Sequence, residues 1–557
     1  MTKKWWHEKV AYQIYPKSFM DSNGDGIGDL PGIISKLDYL KDLGIDIIWI
    51  SPIYSSPFVD QGYDISDYRQ IAECFGTMED FDRLLAEAKK RDMYIVMDLV
   101  VNHCSNEHEW FKKALADPDG EYGKYFYIQE GVDGHAPTNH RSYFGGPAWE
   151  PIPGTNKYYL HLFAKEQPDL NWNNVAVREQ VYDMVNWWFE KGIAGFRIDA
   201  IINIGKKKTF ISHEADGSDG LYNGNDVVDQ EAAKVFLAEL KEKTFDKWDA
   251  FTVGEVFDIT SDDTKDLIGE NGVFSSMFDF SAHIMTFGEH GWYDAPKVEN
   301  GKWRDVLFAS QQHVEKMGGF ASNIIENHDE PRGVCRYLQD YAINDYGKKA
   351  LAATSILFRG LPFLFMGQEI GTENVVRHSI DEYDDISTKD EYRKAIEAGC
   401  SVEEALKACY DNSRDNGRTP MQWDSTQNGG FTTGTPWLGN NPKYEYINVA
   451  DQEKDEDSVL NYYKKLIELR KSEAHVKTFT YGHFEPMCME YENVMAYKRV
   501  AEDNSETIIV AANFGDKEET IKLDTTVSEM LLSNMKDSDV IGRKEITLRS
   551  LECIVIK

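Results

Sequence analysis

Four short stretches of the chain end apolar runs on groups that can move protons or attack carbon. They are Asp98, Asn102 and His103 in "MDLVVNH", Arg197 and Asp199 in "AGFRID", Glu255 in "FTVGE", and His328 and Asp329 in "NIIENHD". Carboxylates set among imidazole and guanidinium donors can share the work of breaking an acetal. One attacks while another gives and takes the proton, provided their surroundings push their pKa values apart. Arg197 precedes Asp199 by two residues, so the two share one side of a strand, and the guanidinium keeps that Asp ionised. Glu255 follows Val253 and Gly254, an apolar setting that raises a carboxyl pKa for acid work. Other chemistries lack their parts, since the chain has no GxSxG elbow, no HExxH and no GxGxxG after a first strand. Singly, each acid has a plainer reading as a helix cap and each His as a satisfied polar residue. Agreement among four strand ends carries the catalytic reading.

Groups so distant in sequence meet only if a sheet delivers them to one edge. Short apolar strands are expected at Val10 to Ile14, Ile45 to Ile50, Tyr94 to Leu99, Ala194 to Asp199, Phe251 to Glu255, Ser275 to Phe280, Ala321 to Glu326 and Pro362 to Met366. Amphipathic stretches such as "TMEDFDRLLAEAKKRD" lie between them, acids first and bases last as a helix dipole prefers. Eight such βα units predict an α/β protein built on a (β/α)₈ TIM barrel. The barrel is assigned to residues 1–103 and 172–478. Residues 104–171, aromatic and poor in helical period, are too long for a bare loop and read as a subdomain inserted after the third strand. From 479 to 557 the pattern turns to short alternating strands, which suits a C-terminal antiparallel β-sandwich.

Composition narrows the partners. Against 60 Lys and Arg stand 95 Asp and Glu, a net charge of −35 that repels phosphate backbones and anionic lipid. Nucleic acid and membrane are therefore excluded as partners, and a small neutral substrate is expected. Seven cysteines without paired spacing, and no signal peptide or bilayer-length apolar run, point to a cytoplasmic protein, monomeric or weakly oligomeric. Cys104 stands beside His103 but lacks the base and orienting partner that a nucleophile needs. "DSNGDGIGD" places Asp21, Asn23 and Asp25 at alternating positions and ends on Asp29. With the Ile27 carbonyl these are hard oxygen donors for a cation, where the plainer reading is an Asp/Gly turn.

In order and separation, "DLVVNH", "GFRID", "VGE" and "ENHD" resemble the conserved regions of glycoside hydrolase family 13, the α-amylase family. "DQGYDISDY" at Asp60 to Tyr68, "QPDLNW" at Gln167 to Trp172 and "SRDNGRTPMQWD" at Ser413 to Asp424 narrow the resemblance to its oligo-1,6-glucosidase subfamily. The resemblance covers essentially the whole chain. It implies an α-retaining mechanism with Asp199 as nucleophile, Glu255 as acid/base and Asp329 as transition-state stabiliser. It also implies that Asp60, Tyr63, His103, Arg197 and His328 hold the non-reducing glucose, with Gln167 counted beside them. Phe144 and Phe163 would line the pocket and Phe257 would border the leaving-group site. An Arg of "SRDNGR", Arg414 rather than Arg418, is expected to pair with Asp60 and make the action exo. The same resemblance implies a structural Ca²⁺ at Asp21, Asn23, Asp25, Ile27 and Asp29, and no organic cofactor.

Two departures bear on specificity. The residue after the nucleophile is commonly Val in α-1,6-selective members and Thr in α-1,4-selective ones, and here it is Ala200, whose small side chain relaxes the wall near the leaving group. "GEVF" also stands where an oligo-1,6-glucosidase has "GEMPG". The leading expectation is an exo-acting α-glucosidase on isomaltose and short oligosaccharides, α-1,6 links favoured. Sucrose-isomerising, trehalose-6-phosphate-hydrolysing or transglucosylating relatives share the scaffold. The "RLDRD" loop of sucrose isomerases is absent around Phe278 to Thr286, while Lys206, Lys207 and Lys208 are candidates for a phosphate contact. A non-catalytic binding subunit would have lost the acids, and all three are present.

Overall fold

The structure is a computed structural model that describes residues 2–217, 219–256 and 260–557. Eight strands form its centre: β1 (Ala11–Ile14), β2 (Ile47–Ile50), β3 (Tyr94–Leu99), β4 (Gly195–Ile198), β5 (Phe251–Gly254), β6 (Ser276–Phe278), β7 (Ala321–Asn323) and β8 (Leu361–Phe365). They follow one another in chain order around a closed barrel, β8 pairing parallel to β1. The α/β TIM barrel expected from the alternating pattern is therefore present. β4 stops at Ile198, before Asp199, and β5 at Gly254, before Glu255. Charged side chains thus leave the ladder at the carboxyl end, where barrel enzymes keep their chemistry.

The fold divides into two compact units: Met1–Ile48, Glu87–Met93 and Phe257–Lys557 in one, Trp49–Ala86 and Tyr94–Val256 in the other. In the second unit, a helix over Val175–Lys191 leads into β4. Asn174 caps its first turn through Ala176 N–H, and Gly192 ends it at φ 110°, a left-handed turn that suits glycine. Register then pairs Asp98 of β3 with Arg197 of β4, and Arg197 with Val253 of β5, so the two charged side chains share a row. The inserted segment carries a three-stranded antiparallel sheet of Ile128–Glu130, Lys157–Leu160 and Trp149–Pro151. Its core of Tyr127, Ala148, Trp149, Leu160 and Leu162 also takes in Val227, with Phe210 packed against it. Part of the stretch after β4 therefore belongs to this core, which periodicity within residues 104–171 could not reveal.

In the first unit, the C-terminal strands form a five-stranded antiparallel sheet and a two-stranded one. Alternate residues Val494, Ala496, Ile509, Ala511, Ile554 and Ile556 share one core with Ile521, Ile546 and Leu548 of the smaller sheet, as in a sandwich. The opposite face is buried as well. Tyr497 Oη donates to the Thr354 carbonyl at 3.0 Å, and Arg499 Nη1 to that of Leu357 at 3.0 Å. Phe479 lies in a short helix, Val476–Tyr481, and the first strand of the sheet begins at His483.

Candidate active site

One arginine organises the acids of the second unit. Arg197, 1% exposed, reaches Asp98 Oδ1 at 2.8 Å and Asp199 Oδ1 at 2.6 Å with Nη1, and Glu255 Oε1 at 2.6 Å with Nη2. Burial opposes a guanidinium charge, but Asp98, Glu255 and Asp199 around it hold its pKa well above the ordinary value. Asp98 also accepts from Trp49 Nε1 at 3.1 Å and from Tyr63 Oη at 3.0 Å. Burial pushes its pKa up to about 6, against the pull of Arg197. Glu255 Oε2 accepts from the Ala200 amide at 2.8 Å. Its carboxylate thus meets a guanidinium and a backbone N–H, not the apolar surroundings expected from Val253 and Gly254. Val253 lies two residues before Glu255 and Gly254 has no side chain, but the turn after β4 brings the Ala200 amide across to the carboxylate. Ala200 makes that turn at φ 42°, ψ 36°, a left-handed backbone that penalises β-branched side chains most.

The network continues to Asp60. Gln167 Nε2 donates to Asp60 Oδ2 at 3.1 Å and lies 3.0 Å from His103 Nε2, which is 3.1 Å from the Tyr63 carbonyl. Burial lowers the His103 pKa to about 3, so the ring is neutral. Nε2 thus faces a carbonyl that can only accept and an amide nitrogen that can only donate, while Nδ1 lies 3.2 Å from Asn102 Nδ2. Phe163 packs on His103 with ring centroids 5.0 Å apart, and Phe144 on Phe163 at 5.6 Å. Hydrogen bonds and ring contacts thus link Asp60, Tyr63, His103, Phe144, Phe163, Gln167, Arg197, Asp199, Ala200 and Glu255 without a break. Phe257 lies outside the described residues.

In the first unit His328 and Asp329 follow β7. Gln13 Nε2 of β1 lies 2.8 Å from His328 Nδ1, and His328 Nε2 lies 3.1 Å from Asp329 Oδ2. Arg414 Nη1 and Arg418 Nη2 both reach Asp329 Oδ1, at 3.2 and 3.1 Å. Arg414 is gripped further by Asp385, whose Oδ1 takes its Nε at 2.9 Å and its Nη2 at 2.6 Å. Burial alone would raise the Asp385 pKa, but the two arginines bring it down to about 2. Asp385 was missed in the sequence because it reads as the N-cap of the helix Ile386–Glu397, a role it also fills through Ser387 and Thr388 N–H.

The structure bears on three further sequence expectations. Lys206 is no phosphate contact. Its Nζ, fully buried, pairs with Asp169 at 3.1 Å and donates to Asn102 Oδ1 at 2.8 Å, leaving only Lys207 and Lys208 exposed. Cys104 is buried, and burial pushes its thiol pKa well above the usual range, as suits a packed rather than reactive cysteine. In the Asp21 loop, Asp21 takes N–H from Asn23, Gly24 and Gly26 and the Thr432 hydroxyl, a full carboxylate complement. Asp29 takes Gly32 N at 2.6 Å, capping the helix Leu30–Ser35, and the Ser22 hydroxyl at 2.8 Å. Asn23 and Asp25 are engaged in the same way, Asn23 Oδ1 by the Asp25 N–H and Asp25 Oδ1 by the Ile27 N–H, both at 2.8 Å.

A closed parallel barrel with arginine-bridged carboxylates at consecutive strand ends, beside a neutral imidazole and phenyl rings packed edge to face, has the parts of a barrel glycosidase. The family model for the alpha-amylase catalytic domain matches residues 13–479. The oligo-1,6-glucosidase of Bacillus cereus is 42% identical over 563 residues, all of both chains. Among solved structures, the trehalose-6-phosphate hydrolase of Bacillus licheniformis is similar at TM-score 0.91 and 38% identity, covering 100% of this chain and 99% of its own. The isomaltulose synthase of Protaminobacter rubrum is similar at TM-score 0.93 and 36% identity, with the same coverage. The chain belongs to the α-amylase family of glycoside hydrolases. Among the described residues, no helix is long and apolar enough to cross a membrane.

Proposed function

We propose that this enzyme is an exo-acting, retaining α-glucosidase that releases terminal glucose from isomaltose and other short neutral oligosaccharides, α-1,6 links favoured. The observation that carries the reading is Arg197, which ties Asp199 and Glu255 to the two ends of one guanidinium. Bridging by a single side chain keeps the pair close, as retaining chemistry requires, whereas inverting pairs stand about 6.5–9.5 Å apart to admit a water.

In this reading Asp199, kept anionic by Arg197, attacks the anomeric carbon as Glu255 protonates the departing oxygen. Glu255 then takes the proton from the water that cleaves the glucosyl ester, returning Asp199 to its carboxylate. Asp329, between two arginines, is assigned the stabilisation of the oxocarbenium-like transition state. The neutral His103, its Nε2 engaged by the Tyr63 carbonyl, orders the pocket beside Asp60, which accepts from a sugar hydroxyl. Burial of Lys206 removes one of the three lysines offered for a phosphate contact, and the substrate is read as unphosphorylated. We assign a structural Ca²⁺ to the Asp21–Asp29 loop, with Asp21, Asn23, Asp25, Asp29 and the Ile27 carbonyl as its oxygen donors.

Incubation of the pure protein with isomaltose, maltose, sucrose, isomaltulose, trehalose and trehalose 6-phosphate tests the assignment. Glucose release should be fastest from isomaltose. Binding of isomaltose without release, or faster cleavage of trehalose 6-phosphate, would refute it.

A further inference from the structure

Outside the carboxylate network, His140, His213 and Asp226 each bring one ligand atom within 4.8 Å of the others. His140 Nε2 lies 2.9 Å from Asp226 Oδ1 and His213 Nε2 lies 2.7 Å from Asp226 Oδ2, so both rings turn the same nitrogen toward one carboxylate. His140 comes from the inserted segment, His213 and Asp226 from the stretch after β4. The backbone around them is tied together. Asn139 Nδ2 donates to the His213 carbonyl at 2.9 Å, His213 N donates to Asn139 Oδ1 at 3.0 Å, and Tyr222 N donates to the Asn139 carbonyl at 2.8 Å.

The ring orientations are set from behind. His140, 1% exposed, has its Nδ1 2.7 Å from Thr138 Oγ1, and that oxygen accepts from Trp149 Nε1 at 2.8 Å. Tyr222 stacks on His213 with centroids 4.4 Å apart. Such outer contacts fix the tautomer and aim of metal-bound imidazoles. Two imidazoles and a carboxylate are a Zn²⁺ donor set, while Ca²⁺ prefers all-oxygen sites such as the Asp21 loop offers.

We propose that His140, His213 and Asp226 form a structural Zn²⁺ site that clamps the stretch after β4 to the inserted segment. Zn²⁺ would take the place of the hydrogen bonds that now join the rings to Asp226, so binding releases protons. His213 and Asp226 are only partly buried, which lets them be replaced without opening a core.

The test uses untagged full-length protein freed of metal with a chelator, then titrated with ZnCl₂ against a chromophoric competitor and, separately, with CoCl₂ read by visible absorption. One equivalent of Zn²⁺ should bind, and Co²⁺ should give the intense bands of a four-coordinate site. His213→Ala and Asp226→Asn should each weaken Zn²⁺ binding about ten-fold or more and abolish the Co²⁺ bands. Wild-type Zn²⁺ binding no tighter than that of the His213→Ala/Asp226→Asn double variant, or affinity unchanged in both single variants, would overturn the proposal.

Discussion

Arg197 does more than neutralise one acid. Its two terminal nitrogens serve three carboxylates, with Asp98 the buried anchor and Asp199 and Glu255 the pair that faces the substrate in the proposed mechanism. Asp199→Ala and Glu255→Gln are each expected to cut kcat/KM for isomaltose by about 10³-fold or more while circular dichroism stays that of the wild type. A near wild-type rate from either would reject the assignment. Lys206 makes a contrasting case, because its charge is spent on structure. Lys206→Met leaves Asp169 as an uncompensated buried charge and should cost about 3–5 kcal/mol in urea unfolding. Lys206→Met/Asp169→Leu should recover most of that loss, and a double variant no more stable than the single one would show that the ion pair is not what is at stake.

At the scale of elements, all eight barrel strands were legible as apolar runs ending on polar groups, and β3 falls on its expected residues, Tyr94 to Leu99. The runs were readable because strands of a parallel barrel are buried on both faces, which keeps most of their residues apolar, with Gln13, Asp98 and Arg197 among the exceptions. What could not be read were partners that depend on long closures. Asp385 looks like a helix cap until the fold brings Arg414 to it, and Lys206 looks like the first of three exposed lysines until Asp169 is placed beside it. Likewise, Val227 joins the inserted core from beyond β4. Packing between strands also sets limits that sequence hides. A Cβ on Gly195 of β4 would stand 1.8 Å from the Phe251 carbonyl oxygen of β5, so only glycine allows the approach that aligns Arg197 with its neighbours. Gly195→Ala should therefore destabilise the protein by about 1–3 kcal/mol and lower kcat at saturating isomaltose. Unchanged thermal unfolding and kcat would show that the strands have room to part.

For the whole molecule, the acidic surface and the oxygen-lined loop at Asp21 to Asp29 lead to a measurable dependence on cations. If that loop holds Ca²⁺, EDTA should lower Tm by a few degrees and added CaCl₂ restore it. Saturation at about 100 times Kd is worth about 2.7 kcal/mol. Asp25→Ala should remove the response, and a wild-type Tm indifferent to both reagents would leave the loop as a turn held by its own amides. The more direct test of the account concerns the reaction itself. Proton NMR of isomaltose hydrolysis, followed before the anomers equilibrate, reports which face of the glucosyl carbon water attacks. Release of α-glucose first is the result expected if Asp199 and Glu255 work as a double-displacement pair; β-glucose appearing first would contradict it.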